Sequence, residues 1–130
     1  MRTRTNPTQQ LLRWWLKHKI LLMDMIRDMD NKIYRHEKTQ RAINKELQEI
    51  NTMLPLLRDN HAAMPEGELR DLTAQRIAAL ELRAYTLSTR TPEYTDETIE
   101  QLRNNIPKQR ELLAAAEEKI EELKGKLKGG

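Results

Sequence analysis

The hydrophobic positions in the first half of the chain follow a strict repeat, with steps that alternate between three and four residues. The positions are Leu12, Trp15, Lys19, Leu22, Ile26, Met29, Ile33, His36, Gln40, Ile43, Leu47, Ile50, Leu54 and Leu57. A stripe with an average spacing of about 3.5 residues is the seam by which one helix packs against another in a coiled coil. Asn6 suits an N-cap, and Pro7 suits the first helical position. The pattern predicts one very long helix over residues 7–57.

At Pro55 the first helix either kinks or stops, and the chain should turn between about Arg58 and Met64. Two further helices are expected after this turn. The second helix, residues 65–88, should open at Pro65 and bury the apolar face Leu69, Leu72, Ile77, Leu80, Ala84 and Leu87. The third helix, residues 95–127, repeats the 3.5-residue period at Ile99, Leu102, Ile106, Gln109, Leu113, Ala116, Ile120, Leu123 and Leu127. Residues 1–5 and 128–130 should be flexible ends.

This order of elements predicts an all-α fold in a single helical domain over residues 1–130. At about 1.5 Å per residue, residues 7–52 alone would be roughly 70 Å long. A compact chain of this length has a radius of gyration of only roughly 14 Å. We therefore expect an elongated coiled-coil hairpin or three-helix bundle. The third helix can continue along the first, giving a hairpin, or reverse to give three helices side by side. The short break before it favours the second form.

The stretch from Leu11 to Ile26 has an apolar face wider than one neighbouring helix needs. The candidate partner-binding residues are Leu11, Trp14, Trp15, Leu22, Met25 and Ile26. The two tryptophans have three possible uses. They are buried between helices of the chain, they dock into a groove on another protein, or they lie on an anionic membrane surface.

Charge is distributed unevenly although the net charge is only +3. The first 20 residues hold no acid and a basic patch, made of Arg2, Arg4, Arg13, Lys17 and Lys19. The remaining residues hold 18 basic and 20 acidic side chains. The chain has no cysteine, which excludes disulfides and cysteine-ligated metals. No apolar run approaches the ~20 residues that a membrane span needs, and no small-residue cleavage site of a secretory signal follows residue 26.

No motif indicates catalysis. His36-Glu37 resembles the start of a zinc-protease motif, but Gln40 stands where the second histidine belongs. His36 and Gln40 are better interpreted as a polar layer within the seam. His18 and His61 lie too far along the chain from His36 to suggest a metal site. We therefore expect no metal, no cofactor, no small-molecule substrate and no enzymatic activity.

The sequence thus predicts a structural or assembly protein: a scaffold, adaptor or accessory subunit that acts through coiled-coil contacts. Its partner is another protein, a second copy of the chain, or both. The first alternative is nucleic-acid binding through the basic patch, and the second is binding to a membrane surface through the first helix. An intracellular, cytoplasmic location is expected, with an organelle lumen or matrix left open.

Overall fold

The computed structural model describes residues 6–129, which form three α-helices and no strand. Helix α1 is Pro7–Ala63, α2 is Glu68–Thr89 and α3 is Asp96–Gly129. The predicted all-α fold with a very long first helix is confirmed. Residues 1–5 and Gly130, expected to be flexible, lie outside the described residues, whereas Lys128 and Gly129 belong to α3.

Helix α1 starts at the predicted cap and ends later than predicted. The Asn6 side-chain oxygen accepts a hydrogen bond of 2.8 Å from the backbone N–H of Thr8, which satisfies one of the unpaired donors of the first turn. The helix continues through Pro55 to Ala63, six residues beyond the predicted end at residue 57. Proline removes one backbone hydrogen bond, but Leu54 beside it is buried, and this packing holds the helix together.

Helices α2 and α3 also begin later than predicted. Helix α2 begins at Glu68 rather than Pro65, because Gly67 has a φ of 155°, a backbone conformation open mainly to glycine. Helix α3 begins at Asp96, one residue late, after the Thr95 hydroxyl oxygen accepts a 3.1 Å hydrogen bond from the Thr98 N–H. That bond is an N-cap interaction.

The chain divides into two compact units, and α1 contributes to both. Among the described residues, the proximal unit contains residues 6–35 and 94–129, and the distal unit contains residues 36–93. Each unit therefore pairs one part of α1 with one later helix. The favoured interpretation, in which three helices lie side by side, is found in neither unit. Helix α3 instead pairs with the first part of α1.

In the proximal unit, α1 and α3 run antiparallel and bury one stripe each. Asp30 is 3.6 Å from Arg110, and Arg35 donates a 2.9 Å hydrogen bond to the Tyr94 hydroxyl. The higher residue number of α1 is thus matched with the lower residue number near α3, as expected for antiparallel helices. The buried side chains are Leu22, Ile26, Ile99, Ile106, Ala116, Ile120 and Leu123. Each belongs to a predicted seam, and every other predicted seam residue of α1 and α3 is at least half-buried.

In the distal unit, α1 and α2 pack around a core of three buried residues, Ile50, Leu54 and Leu87. Partly buried Ile43, Leu47, Ile77, Leu80 and Ala84 surround them. Two ion pairs flank this core, Arg83 with Glu46 at 2.7 Å and Arg58 with Glu81 at 3.1 Å.

The predicted apolar face of α2 is wrong at its first two positions. Leu69 and Leu72 are 68% and 53% exposed, whereas Arg70 and Thr73 are half-buried. The inward positions of α2 are Arg70, Thr73, Ile77, Leu80, Ala84 and Leu87. These positions keep the 3.5-residue period, but polar side chains hide it at the start of the helix.

Candidate interaction surface

The start of α1 carries a second apolar stripe beside the seam. It consists of Leu11, Trp14, His18, Leu21 and Met25, again with steps of three and four residues. We call these five residues the outer stripe. Trp14 is 54% exposed and Leu21 is 60% exposed, whereas Leu22, the next residue in the seam, is 4% exposed. The proximal unit therefore covers the seam and leaves the outer stripe largely open to solvent.

An aromatic cluster holds the N-terminal half of this stripe in place. The Trp14 ring stacks on His18, with centroids 5.0 Å apart and planes inclined by 16°. Trp15 meets Trp14 edge-on at 5.0 Å and His18 edge-on at 5.7 Å. Offset-stacked and edge-to-face contacts of this kind are favourable arrangements for aromatic pairs. Because Trp15 is half-buried at the seam, the cluster connects the exposed Trp14 to the packed side of the helix.

More apolar residues lie on the opposite flank of the seam. Leu16, Ile20 and Met23 are all exposed. Between the two flanks runs a narrow polar strip that includes Arg13, Lys17 and Asp24, which are exposed as well. Scattered surface hydrophobics are ordinary, but a continuous exposed patch marks a site of interaction.

The predicted partner-binding residues separate into two groups. Leu11, Trp14 and Met25 are exposed and belong to the outer stripe, and Trp15 supports them. Leu22 and Ile26 are buried within the proximal unit and present almost no surface to a partner. The selection of candidates missed the exposed residues Leu16, Ile20, Leu21 and Met23. The sequence held a signal for them: removing the seam positions from the apolar set of residues 11–26 leaves these flanking residues.

The predicted basic patch is only partly visible on this surface. Arg13 and Lys17 are exposed, and Lys19 is half-buried at its seam position. Arg2 and Arg4 lie outside the described residues. The described surface here thus offers two exposed cations from the patch, beside a larger apolar area.

Acidic side chains follow about two helical turns after Lys17. Asp24 lies 3.8 Å from Arg27, and Asp28 accepts a 2.9 Å contact from the Lys32 ammonium. The hydrogen bond to Asp28, reinforced by its negative charge, raises the pKa of Lys32 above its ordinary value. The surface is therefore basic near Arg13 and Lys17 and contains acids near Asp24 and Asp28.

The distal unit contains a different feature, a groove of about 590 Å³ between α1 and α2. Ile50, Met53, Leu57, Leu69 and Leu80 are among its apolar lining residues. Glu46 and Arg83 also line it, and their two hydrogen bonds are 2.7 and 3.1 Å long. The bond from Arg83 lowers the pKa of the Glu46 carboxyl.

Across residues 6–129, no group of three or more His, Asp or Glu side chains is placed to hold a metal ion. His36 and Gln40 are half-buried at seam positions, where a polar layer was predicted. None of the helices described is both long enough and apolar enough to traverse a lipid bilayer.

No protein family model, curated protein or solved structure matches the chain.

Proposed function

We propose that this chain is a non-enzymatic assembly protein, a scaffold, adaptor or accessory subunit, that binds a protein partner through the start of α1. The outer stripe carries the proposal. Its apolar residues recur at the spacing of a helix–helix seam, yet the proximal unit leaves Leu11, Trp14, Leu21 and Met25 exposed. Exposed tryptophan, leucine and methionine on one helix face supply the apolar anchors that dominate binding energy at protein interfaces.

The same face has the form of a helix-in-groove or helix-on-helix contact. Such contacts use anchors spaced three and four residues apart along one helix. Trp14 is held in place by His18 and Trp15, so less side-chain freedom is lost when it is buried by a partner. Preorganisation of this kind improves affinity by reducing the entropic cost of binding.

The proposal is tested by size-exclusion chromatography of a mild lysate of the cells that naturally contain the chain. The measured quantity is the size of the complex in which the chain elutes. The wild-type chain should elute in a particle larger than the chain alone. Leu21→Glu should release it, because a charge would be buried in the contact. Leu82→Glu is the matched control: Leu82 is 66% exposed on the distal unit, so the particle should persist.

Three other outcomes would contradict the proposal. A particle lost on nuclease treatment, or lost steeply between low and moderate salt, would indicate phosphate-driven binding through Arg13 and Lys17. Flotation with anionic vesicles that Leu21→Glu abolishes would indicate a membrane-surface role. Elution at the size of the chain alone for wild type and both variants would refute any assembly role.

A further inference from the structure

We infer that the outer stripe is an antiparallel homodimer contact, in which it packs against the outer stripe of a second copy of this chain. The inference rests on the proposed function and names the partner. Three properties of the surface carry it: its repeat, its distribution of charge, and a pairing rule that the chain already follows in the distal unit.

The repeat of the outer stripe specifies the kind of partner surface that can pack against it. A stripe with a 3.5-residue period packs best on a helix with the same period, because side chains of one helix then fill the spaces of the other along its length. Residues 11–25 span about 21 Å at about 1.5 Å per residue. Elsewhere among the described residues, exposed large hydrophobics occur singly or in close pairs, such as Met53 with Leu56 and Leu82 with Tyr85. The opposite flank of α1 adds only Leu16, Ile20 and Met23. The longest matching exposed stripe that the described chain offers is therefore the outer stripe of another copy.

Charge specifies the orientation. Arg13 and Lys17 lie beside the N-terminal half of the stripe, and Asp24 lies beside its C-terminal half. The next stripe position, Asp28, is acidic and ends the apolar run. An antiparallel pairing brings the basic half of each copy over the acidic half of the other, twice by symmetry. In a parallel pairing each of these charges faces the opposite flank of the partner's stripe and not an opposite charge, so no such ion pair forms.

The distal unit shows this pairing rule within the chain. Glu46 and Arg83 each stand one residue before a seam position, Leu47 and Ala84, and they pair across antiparallel helices at 2.7 Å. Lys17 and Asp24 have the same relation to the outer stripe, since each stands one residue before His18 or Met25. They are the positions from which cross-helix ion pairs form when two such stripes run in opposite directions.

The same acids disfavour other occupants. Near Asp24 and Asp28 an anionic lipid surface or a nucleic acid meets no net positive charge, because these acids balance Arg27 and Lys32 of α1. A second copy turns these acids into attractive partners for Arg13 and Lys17, because opposite charges across an interface fix its register and orientation.

The test is sedimentation equilibrium of the purified full chain over a wide concentration range, with helicity checked by circular dichroism. The wild type should fit a monomer–dimer equilibrium. Leu21→Glu should raise the dissociation constant by roughly 100-fold or more, because each copy would bury an unpaired carboxylate. Leu82→Glu should leave it unchanged.

A charge exchange tests the orientation. Lys17→Asp alone and Asp24→Lys alone each set like charges together in the antiparallel dimer, and each should weaken it roughly three- to tenfold. The double variant Lys17→Asp/Asp24→Lys restores both pairs and should dimerise like the wild type. Additive weakening in the double variant would overturn the antiparallel arrangement.

The remaining outcomes separate this inference from the proposed function. A wild-type chain that is monomeric when purified, but part of a larger particle in extracts that Leu21→Glu disrupts, overturns self-pairing and leaves the assembly role in place. A dimer that Leu21→Glu does not affect overturns the inference as well, because the contact would then lie elsewhere. Vesicle binding by a monomeric chain would assign the stripe to lipid instead.

Discussion

The two parts of α1 share one seam but differ in what surrounds it. In the distal unit, Glu46 and Arg58 flank the seam and pair with charged residues of α2. In the proximal unit, the flanking positions before residue 26 are apolar, among them Leu11, Leu16 and Met25, and they are exposed. The comparison shows that the 3.5-residue repeat determines how the chain folds, while the flanking residues determine what remains for a partner. Charged flanks complete an intramolecular contact, whereas the apolar flanks stay exposed, and we propose that they serve assembly.

The largest expected effect separates two adjacent leucines of the proximal unit. Leu22→Ala removes a side chain that is 4% exposed and should destabilise the monomer by about 2–5 kcal/mol. Leu21→Ala removes an exposed side chain and should change the stability by no more than about 0.5 kcal/mol. Urea unfolding at a protein concentration below that of any self-association measures both. Equal destabilisation by the two variants would mean that seam and outer stripe are not distinct.

A second pair of variants contrasts the turn of the distal unit with the end of α3. Gly67→Ala places a side chain at a φ of 155°, which should destabilise by more than about 1 kcal/mol because the native conformation is incompatible with alanine. Gly125→Ala lies within α3, where an added Cβ meets nothing within 4 Å, and should stabilise by up to about 1 kcal/mol. Thermal unfolding midpoints should therefore move in opposite directions. A rise for Gly67→Ala would show that the turn does not require glycine.

The smallest effect concerns the charged flank of the distal unit. The bond from Arg83 lowers the folded-state pKa of Glu46 below its ordinary value of 4.5. The pair should therefore add stability above about pH 4.5 and lose it as the pH falls through the lowered pKa. Glu46→Gln should flatten this part of the stability profile, measured by urea unfolding at several pH values. In an Arg83→Gln background the same substitution should have no such effect, and a persistent effect would assign the pH dependence to another group.

Most of the fold could be predicted because it depends on a repeat that side chains reveal directly. Leu22, Ile50, Ile106 and Ile120 are apolar at seam positions and are buried. The predicted helix ends and the predicted buried face of α2 were wrong, because they depend on features other than the apolar repeat. The first helix was predicted to end at residue 57, and it continues to Ala63. The start of α2 depends on the positive φ of Gly67. Arg70 and Thr73 occupy inward positions of α2, which their polar side chains did not indicate.

The candidate surface could be located from the sequence, but the sequence did not show which of its residues are exposed and which are buried. The apolar width of residues 11–26 indicated more contact than one neighbour provides. Which residues stay exposed depends on which helix covers the seam, and that pairing involves residues far apart in the chain, such as Asp30 and Arg110. Leu22 and Ile26 were therefore chosen as partner-binding residues although the fold itself buries them.

The most direct test of the central claim is a distance between two copies at the outer stripe. The chain has no cysteine, so a single introduced cysteine carries the only spin label. Gln10→Cys and Ile20→Cys label exposed positions near one end and near the middle of the stripe. Antiparallel pairing predicts labels roughly 30 Å apart along the axis at position 10, because each lies about ten residues from the centre. Ile20 lies on the opposite flank, level with the middle of the stripe, so at position 20 only the width of the two helices should separate the labels, with almost no separation along the axis. Almost no separation along the axis at position 10 as well would indicate parallel pairing, and the absence of any dipolar coupling would contradict the pairing of this stripe altogether.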